Sequence, residues 1–224
     1  VEGDETLQLT LVDGDAYDLG SPASAGVTIA DDDLPPCPRP DPGVLPISQV
    51  QGSGAASPVA GSTRTVEGVV TAVFPGLAGF FLEEEAADRD GNGATSEGLF
   101  VFMGSAANIP AFLGVGDTVR VTGRVAERVT SSGGVTSSQT QIANSPLPAV
   151  VDCGVAASVA PTDVTFPLTA VSDLEPVEAM LVRLPQTLQI SEYFDFDRFG
   201  EIVLALPLPG EPRVMTPTSV EEPG

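Results

Sequence analysis

Glycine and proline punctuate this chain so often that long helices have nowhere to form. There are 24 Gly and 21 Pro in 224 residues, spread through segments rich in Val and Thr. Proline removes a backbone donor and blocks helix interiors, while Val and Thr favour extended backbone. Short strands joined by many turns are the expected outcome, and the chain is read as all-β. Hydrophobic residues make up 42%, which separates it from a disordered acidic tail. The length suffices for one or two domains with a real core. Gly, Pro or charge breaks every apolar run short of the roughly 18–20 residues of a membrane span.

The side-chain inventory then narrows the chemistry. There is no His, hence no His general base, no Ser-His-Asp triad and no imidazole metal ligand. Two Cys are too few for a zinc ribbon or an iron–sulfur cluster. The nine basic residues are all Arg and face 31 acids, for a net charge of −22. Phosphates repel such a chain unless a cation intervenes or one patch is locally basic. The acidity and the lack of Lys fit a secreted, extracellular or cell-surface protein, or one from a salty or high-GC background, with solubility as the plain use of the charge. The chain opens on Val1 with nothing like a signal peptide and stops at Glu221-Glu222-Pro223-Gly224. The expectation is an internal piece of a longer protein.

The chain divides into four segments. In residues 1–33, Leu7, Leu9 and Leu11 alternate with Gln8, Thr10 and Val12, a period-2 strand. Val27 and Ile29 mark a second strand, and the Gly/Asp/Ser/Pro-rich stretch between them predicts a hairpin connection. Residues 34–62 hold five prolines between Pro35 and Pro42 and are read as a stiff linker, with Ile47 and Val50 as anchors to the next domain. Residues 63–150 give strands at TRTVEGVVTAVF, GFFLEEE, GLFVFM, GVGDTVRVTGRVAERV and VTSSQTQI, with a short helical stretch after the third. Val66, Gly68, Val70, Ala72 and Phe74 share one face of the first strand. Glycines inside the first and fourth strands let them coil as a small closed barrel needs. The order and the two V-x-G-x-V segments, Val66–Val70 and Val121–Val125, match an oligonucleotide/oligosaccharide-binding barrel, an OB-fold; a generic β-sandwich is the rival. Residues 151–224 read as the start of a second β-domain, with strands in EAMLVRLPQTLQISE and GEIVLAL.

Two resemblances add to this. Glu2-Gly3-Asp4-Glu5, Ala16-Tyr17-Asp18-Leu19-Gly20 and Val27-Thr28-Ile29-Ala30-Asp31-Asp32-Asp33 resemble the C-terminal end of a Calx-β domain. That implies a calcium cluster at Asp31, Asp32, Asp33 and Glu5; an acidic domain-end linker is the plain alternative. Ile47-Ser48-Gln49-Val50-Gln51-Gly52-Ser53-Gly54, Gly79-Phe80-Phe81-Leu82, Thr95-Ser96-Glu97-Gly98-Leu99-Phe100-Val101, Val115-Gly116-Asp117-Thr118-Val119-Arg120-Val121-Thr122-Gly123 and Phe199-Gly200-Glu201 resemble secreted bacterial nucleases of the endonuclease/exonuclease/phosphatase superfamily. The likeness covers roughly residues 37–218. It implies an accessory OB-type module upstream of a catalytic domain that would use magnesium or manganese with His, Asn and acidic residues. This piece would then be non-catalytic, with nucleic acid and the catalytic domain of the same parent chain as partners. A calcium-stiffened adhesion or matrix module is the competing class.

Three local features are candidate sites. Asp88, Asp90 and Asn92 stand at alternate positions before Gly93, the D-x-D-x-N-G half of a calcium loop. Glu97 is placed to complete it, although Leu99 occupies the position of the usual bidentate Glu. A solvated acidic turn is the alternative, and the run Glu83-Glu84-Glu85 beside it favours a cation either way. Arg120, Arg124 and Arg128 share one face of the fourth strand by strand alternation, opposite Val119, Val121, Val125 and Val129. They form either a phosphate-tracking stripe or an ordinary polar face. Phe81 is a candidate for base stacking, or for the core. Cys37 and Cys153 flank the barrel and read as a disulfide of an exported protein.

Overall fold

The computed structural model describes residues 5–29, 37, 41–132, 135–194, 196–199 and 202–207. The alternating N-terminal pattern forms a hairpin of β1 (Glu5–Thr10) and β2 (Ser24–Ile29). Leu7 stands opposite Val27 and Leu9 opposite Ala25, and both leucines and Val27 are exposed. Asp31, Asp32 and Asp33 of the expected calcium cluster lie outside the described residues, and Glu5 opens β1.

The linker expected over 34–62 ends sooner than that. Val44 bridges Thr65, and the Leu45 N–H donates to the Thr65 carbonyl at 2.8 Å. A one-turn helix, α1 (Ile47–Gln51), comes next. Its apolar residues Ile47 and Val50 are spaced by three, so they share a face. Both are fully buried in the core cluster, which makes α1 part of the barrel.

Five strands close a ring: β3 (Thr63–Phe74), β4 (Gly79–Glu83), β5 (Gly98–Phe102), β6 (Asp117–Ser132) and β7 (Val135–Ala143). Their order is β3-β4-β5-β7-β6, and β6 pairs back onto β3. All neighbours are antiparallel except β5 and β7, which run parallel. The two long strands make closure feasible by changing partners midway. β3 pairs with β6 through Thr63–Val69 and with β4 from Val69 onward. β6 pairs with β3 up to Arg124 and with β7 from Arg124. Each switch falls beside a glycine whose missing side chain the fold requires. A Cβ on Gly123 would sit 2.4 Å from Ile142 Cγ2, and one on Gly68 only 3.0 Å from the Glu83 carbonyl. Val66, Phe80, Leu82, Leu99, Val121 and Ile142 fill the interior with no exposed surface.

The pattern departs from expectation at the ends of the long strands. A bulge between Val70 and Ala72 reverses the alternation. Phe74 therefore leaves the face of Val66 and Val70, becomes exposed and meets Phe81 edge-on at 5.9 Å. Val129 also differs from Val119, Val121 and Val125: it is 61% exposed. The distal β6–β7 hairpin there is polar, and hydroxyl pairs Thr130–Ser137 and Ser131–Thr136 link it across the strands.

The boundary expected at residue 150 falls inside a strand. β8 (Ala149–Ala156) pairs antiparallel with the first half of β6 and extends the same sheet. The chain then returns: β9 (Thr162–Asp163) pairs parallel with β10 (Val182–Arg183), and between them a 3₁₀ segment spans Val171–Val177. Residues 178–181 press onto the barrel so closely that a Cβ on Gly98 would lie 2.5 Å from Met180 N. Residues 149–156 thus continue the barrel's sheet, and residues 178–181 pack against it. Past them, β11 (Gln189–Glu192) and β12 (Val203–Ala205) form a separate two-stranded sheet. The Cys37–Cys153 disulfide is present, with Cα atoms 5.1 Å apart, inside the range expected for such a bridge.

Candidate functional site

The acids of the EEE run diverge where β4 ends. Phe80 and Leu82 point inward, so Glu83 points outward, yet it has no exposed surface. Glu83 Oε1 accepts from Arg89 Nη2 at 2.5 Å and Oε2 from the Leu181 N–H at 2.7 Å. Burial raises its pKa, which the Leu181 hydrogen bond and Arg89 partly offset. Glu84 turns the other way, under α1, where Oε1 accepts the Ile47 N–H at 2.5 Å. The Glu84 N–H donates to the Glu97 carbonyl at 3.0 Å, which closes the base of the loop between β4 and β5. Burial, and then the neighbouring Glu97 carboxyl, push the Glu84 carboxyl well above the usual carboxylate range.

Within that loop the D-x-D-x-N-G residues fold on themselves. Asp90 Oδ1 accepts the Asn92 N–H at 2.7 Å, and its Oδ2 accepts Thr95 Oγ1 at 3.0 Å. Asn92 Oδ1 accepts the Ala94 N–H. These backbone and hydroxyl donors, the Asn92 N–H foremost, hold the Asp90 pKa below its ordinary value. Asn92 is exposed, and Asp88 lines a neighbouring cleft. Glu97 instead turns into the interior, 5% exposed, and takes the Asp90 N–H on Oε1 at 3.2 Å. The structure therefore places Asp90 against Glu97 and Ser48 and Glu97 against Glu84, and turns the Asn92 oxygen onto its own loop. The sequence pattern pointed at the loop. It gave no signal for Ser48, and only the bare acid run for Glu84.

The adjoining cleft, about 530 Å³, is lined by Asp41, Val44, Leu45, Glu67, Glu84, Asp88 and Arg120, among others. Arg120, from the expected stripe, is held there. Its Nη2 lies 2.8 Å from Glu67 Oε2 and its Nη1 2.8 Å from Asp41 Oδ2. Glu67 is its cross-strand partner, so the ladder itself brings the two charges together. Arg124 and Arg128 are exposed. Phe81 is half-buried, with Phe74 on one side and Phe100 on the other, the latter ring 4.8 Å away. The oxygens and sulfurs of Cys37, Glu67 and Cys153 also converge, but sulfurs joined to each other offer no thiolate to a metal.

Glu178 fixes the returning segment. Its Oε1 accepts the Thr140 N–H at 2.8 Å, and its carbonyl accepts Ser96 Oγ. Burial pushes its carboxyl up to about 7, against the lowering effect of the Thr140 hydrogen bond. A carboxyl raised on folding adds stability fully present below its unfolded value near 4.5 and lost as pH rises through the folded one. We expect stability to fall between about pH 4.5 and 7, by up to about 1.4 kcal/mol per pH unit, less where water reaches the group. Glu178→Gln keeps the acceptor for Thr140 and should flatten that slope. Urea midpoints from pH 4.5 to 8 measure it; equal slopes in both proteins would remove Glu178 as the cause.

Among the described residues no helix is long and apolar enough to cross a membrane. Comparison with protein-family models, with curated protein sequences and with solved structures finds no significant match.

Proposed function

We propose that this chain is a non-catalytic accessory region of a secreted, metal-dependent nuclease, its barrel bracing or positioning a catalytic domain of the same parent chain. One observation carries the reading. The residues that resemble such nucleases coincide with a closed five-stranded ring of order β3-β4-β5-β7-β6 with one parallel pair, as expected of an OB-type barrel. The extracellular placement is supported by the disulfide, a bond of oxidising compartments. The absence of His supports a supporting role, and magnesium or manganese belongs with the catalytic domain. Bracing is favoured over gripping nucleic acid because Glu67 and Asp41 engage Arg120. Arg124 and Arg128 remain for phosphates, and two contacts to a single strand give a log–log salt slope of only about −1.4.

The test has two parts. The chain should leave plasmid DNA intact with magnesium, manganese or calcium. Its binding to fluorescent single-stranded DNA at low salt should be weak and unchanged in Arg124→Ala/Arg128→Ala. Cleavage that disappears on mutating one of this chain's own carboxylates overturns the non-catalytic reading. Binding that collapses in the double variant replaces bracing by direct nucleic-acid positioning.

A further inference from the structure

We propose that the segment from Val171 to Arg183 is a pH-sensitive latch on the barrel, closed in acid and loosened toward neutral pH, with Glu178 as its trigger. Beyond the close approach at Gly98, the segment docks through polar contacts. Glu178 Oε1 accepts the Thr140 N–H of β7 at 2.8 Å, and the Glu178 carbonyl accepts Ser96 Oγ at 2.6 Å. Three residues on, the Leu181 N–H donates to Glu83 Oε2 at 2.7 Å. Apolar burial adds less: Val171 is 67% exposed, Leu174 37%, Leu181 39% and Val182 40%. An apolar cleft of about 420 Å³ adjoins the segment, lined by Phe166, Val177, Met180 and Leu184 and also by Glu175 and Glu178. A segment with such incomplete packing opens locally at lower cost than the strands it rests on.

The groups around Glu178 set the direction. Thr140 joins two carboxyls: its N–H donates to Glu178, and its hydroxyl donates to Glu127 Oε1 of β6 at 3.0 Å. Glu175 acts from the segment itself, Gln51 from α1 and Ser96 from the loop before β5. These groups are acids or neutral. Arg89, the cation beside the neighbouring clasp, is engaged by Glu83. Burial foremost, with the repulsion of Glu175 and Glu127, pushes the Glu178 carboxyl up to about 7. In the opened segment the carboxyl regains water and its ordinary value of 4.5. A carboxyl raised in the closed form favours closure fully below the open value, and that contribution is lost as pH rises through the closed one. Acid therefore holds the segment down, and neutral pH frees it and gives solvent access to the cleft.

Hydrogen exchange on the full chain between pH 5 and 7.5 tests this, read as protection relative to the intrinsic rate at each pH. The Leu181 amide, and the Thr162 amide that donates to the Leu181 carbonyl, report on the latch. At every pH both should be less protected than the β3–β6 ladder, the mark of local opening. Their protection should fall about tenfold from pH 5 to 7.5, a linkage effect reduced by the water that reaches Glu178. Glu178→Gln keeps an acceptor for Thr140 and should hold that fall under about threefold. Glu175→Gln removes a like charge and should move the fall to lower pH. Equal falls in wild type and Glu178→Gln, or no fall in the wild type, overturn Glu178 as the trigger. Equal protection of these amides and the ladder at every pH overturns the latch, because the segment would then open only with the whole barrel.

Discussion

Removing the disulfide with Cys37→Ala/Cys153→Ala should destabilise the chain by about 5 kcal/mol. The bridge joins residues 116 apart in sequence, and in the chain-entropy model closing a loop of that size restricts the unfolded ensemble by about this much. Both half-cystines are buried, so the variant also forfeits packing. For a chain of this length the melting temperature should drop by roughly 10–20 °C. The bridge matters to the architecture because Cys153 lies on β8, the edge strand beyond the ring, and Cys37 on the segment that leads into α1. It ties the two sequence ends of the barrel unit to each other. Thermal melts of wild type and double variant, with and without reductant, measure the effect. A loss under about 1 kcal/mol would mean that the β8–β6 ladder alone fixes those ends.

Glu83→Ala should cost about 3 kcal/mol, a large effect for an acid outside the apolar core. Its two oxygens hold Arg89 and the Leu181 N–H, so one carboxylate clamps both the β4–β5 loop and the returning segment onto the barrel. Breaking a buried ion pair from one side leaves the other charge without compensation, and the freed N–H adds the cost of an unmet donor. Glu83→Gln keeps an acceptor for Leu181 and loses only the charge, so it should fall between wild type and Ala. Urea midpoints rank the three proteins. Proteolysis should also speed up near residues 178–183 in the Ala variant. If Ala and Gln lose the same stability, the Leu181 contact contributes nothing and the clamp is the ion pair alone.

What the sequence determined is the local part. Val/Thr runs cut by Gly and Pro set the extended backbone, and the expected first, second, third and fifth strands agree with β3, β4, β5 and β7 to within about two residues at each end. Two cysteines flanking that block supplied the bridge. The alternation of Val119, Val121 and Val125 against Arg120 and Arg124 was equally legible, because strand side chains point to opposite faces whatever lies around them. Tertiary structure decided everything that depends on distant partners. The bulge at Val70/Ala72 turns Phe74 outward, and no periodicity in β3 contains it. Arg120 looked like one third of a basic stripe, but Glu67 lies across the ladder and Asp41 arrives from 79 residues away. Residues 151–156 read as a new beginning, yet they find an open edge on β6. Ser48, Glu84 and Glu97 belong to three separate segments, and only the docking of α1 against the end of β4 makes them neighbours. A local pattern fixes which way a side chain points; which charge or orphaned atom it then meets is set by chain closure, and a linear sequence does not encode that in any neighbouring residue.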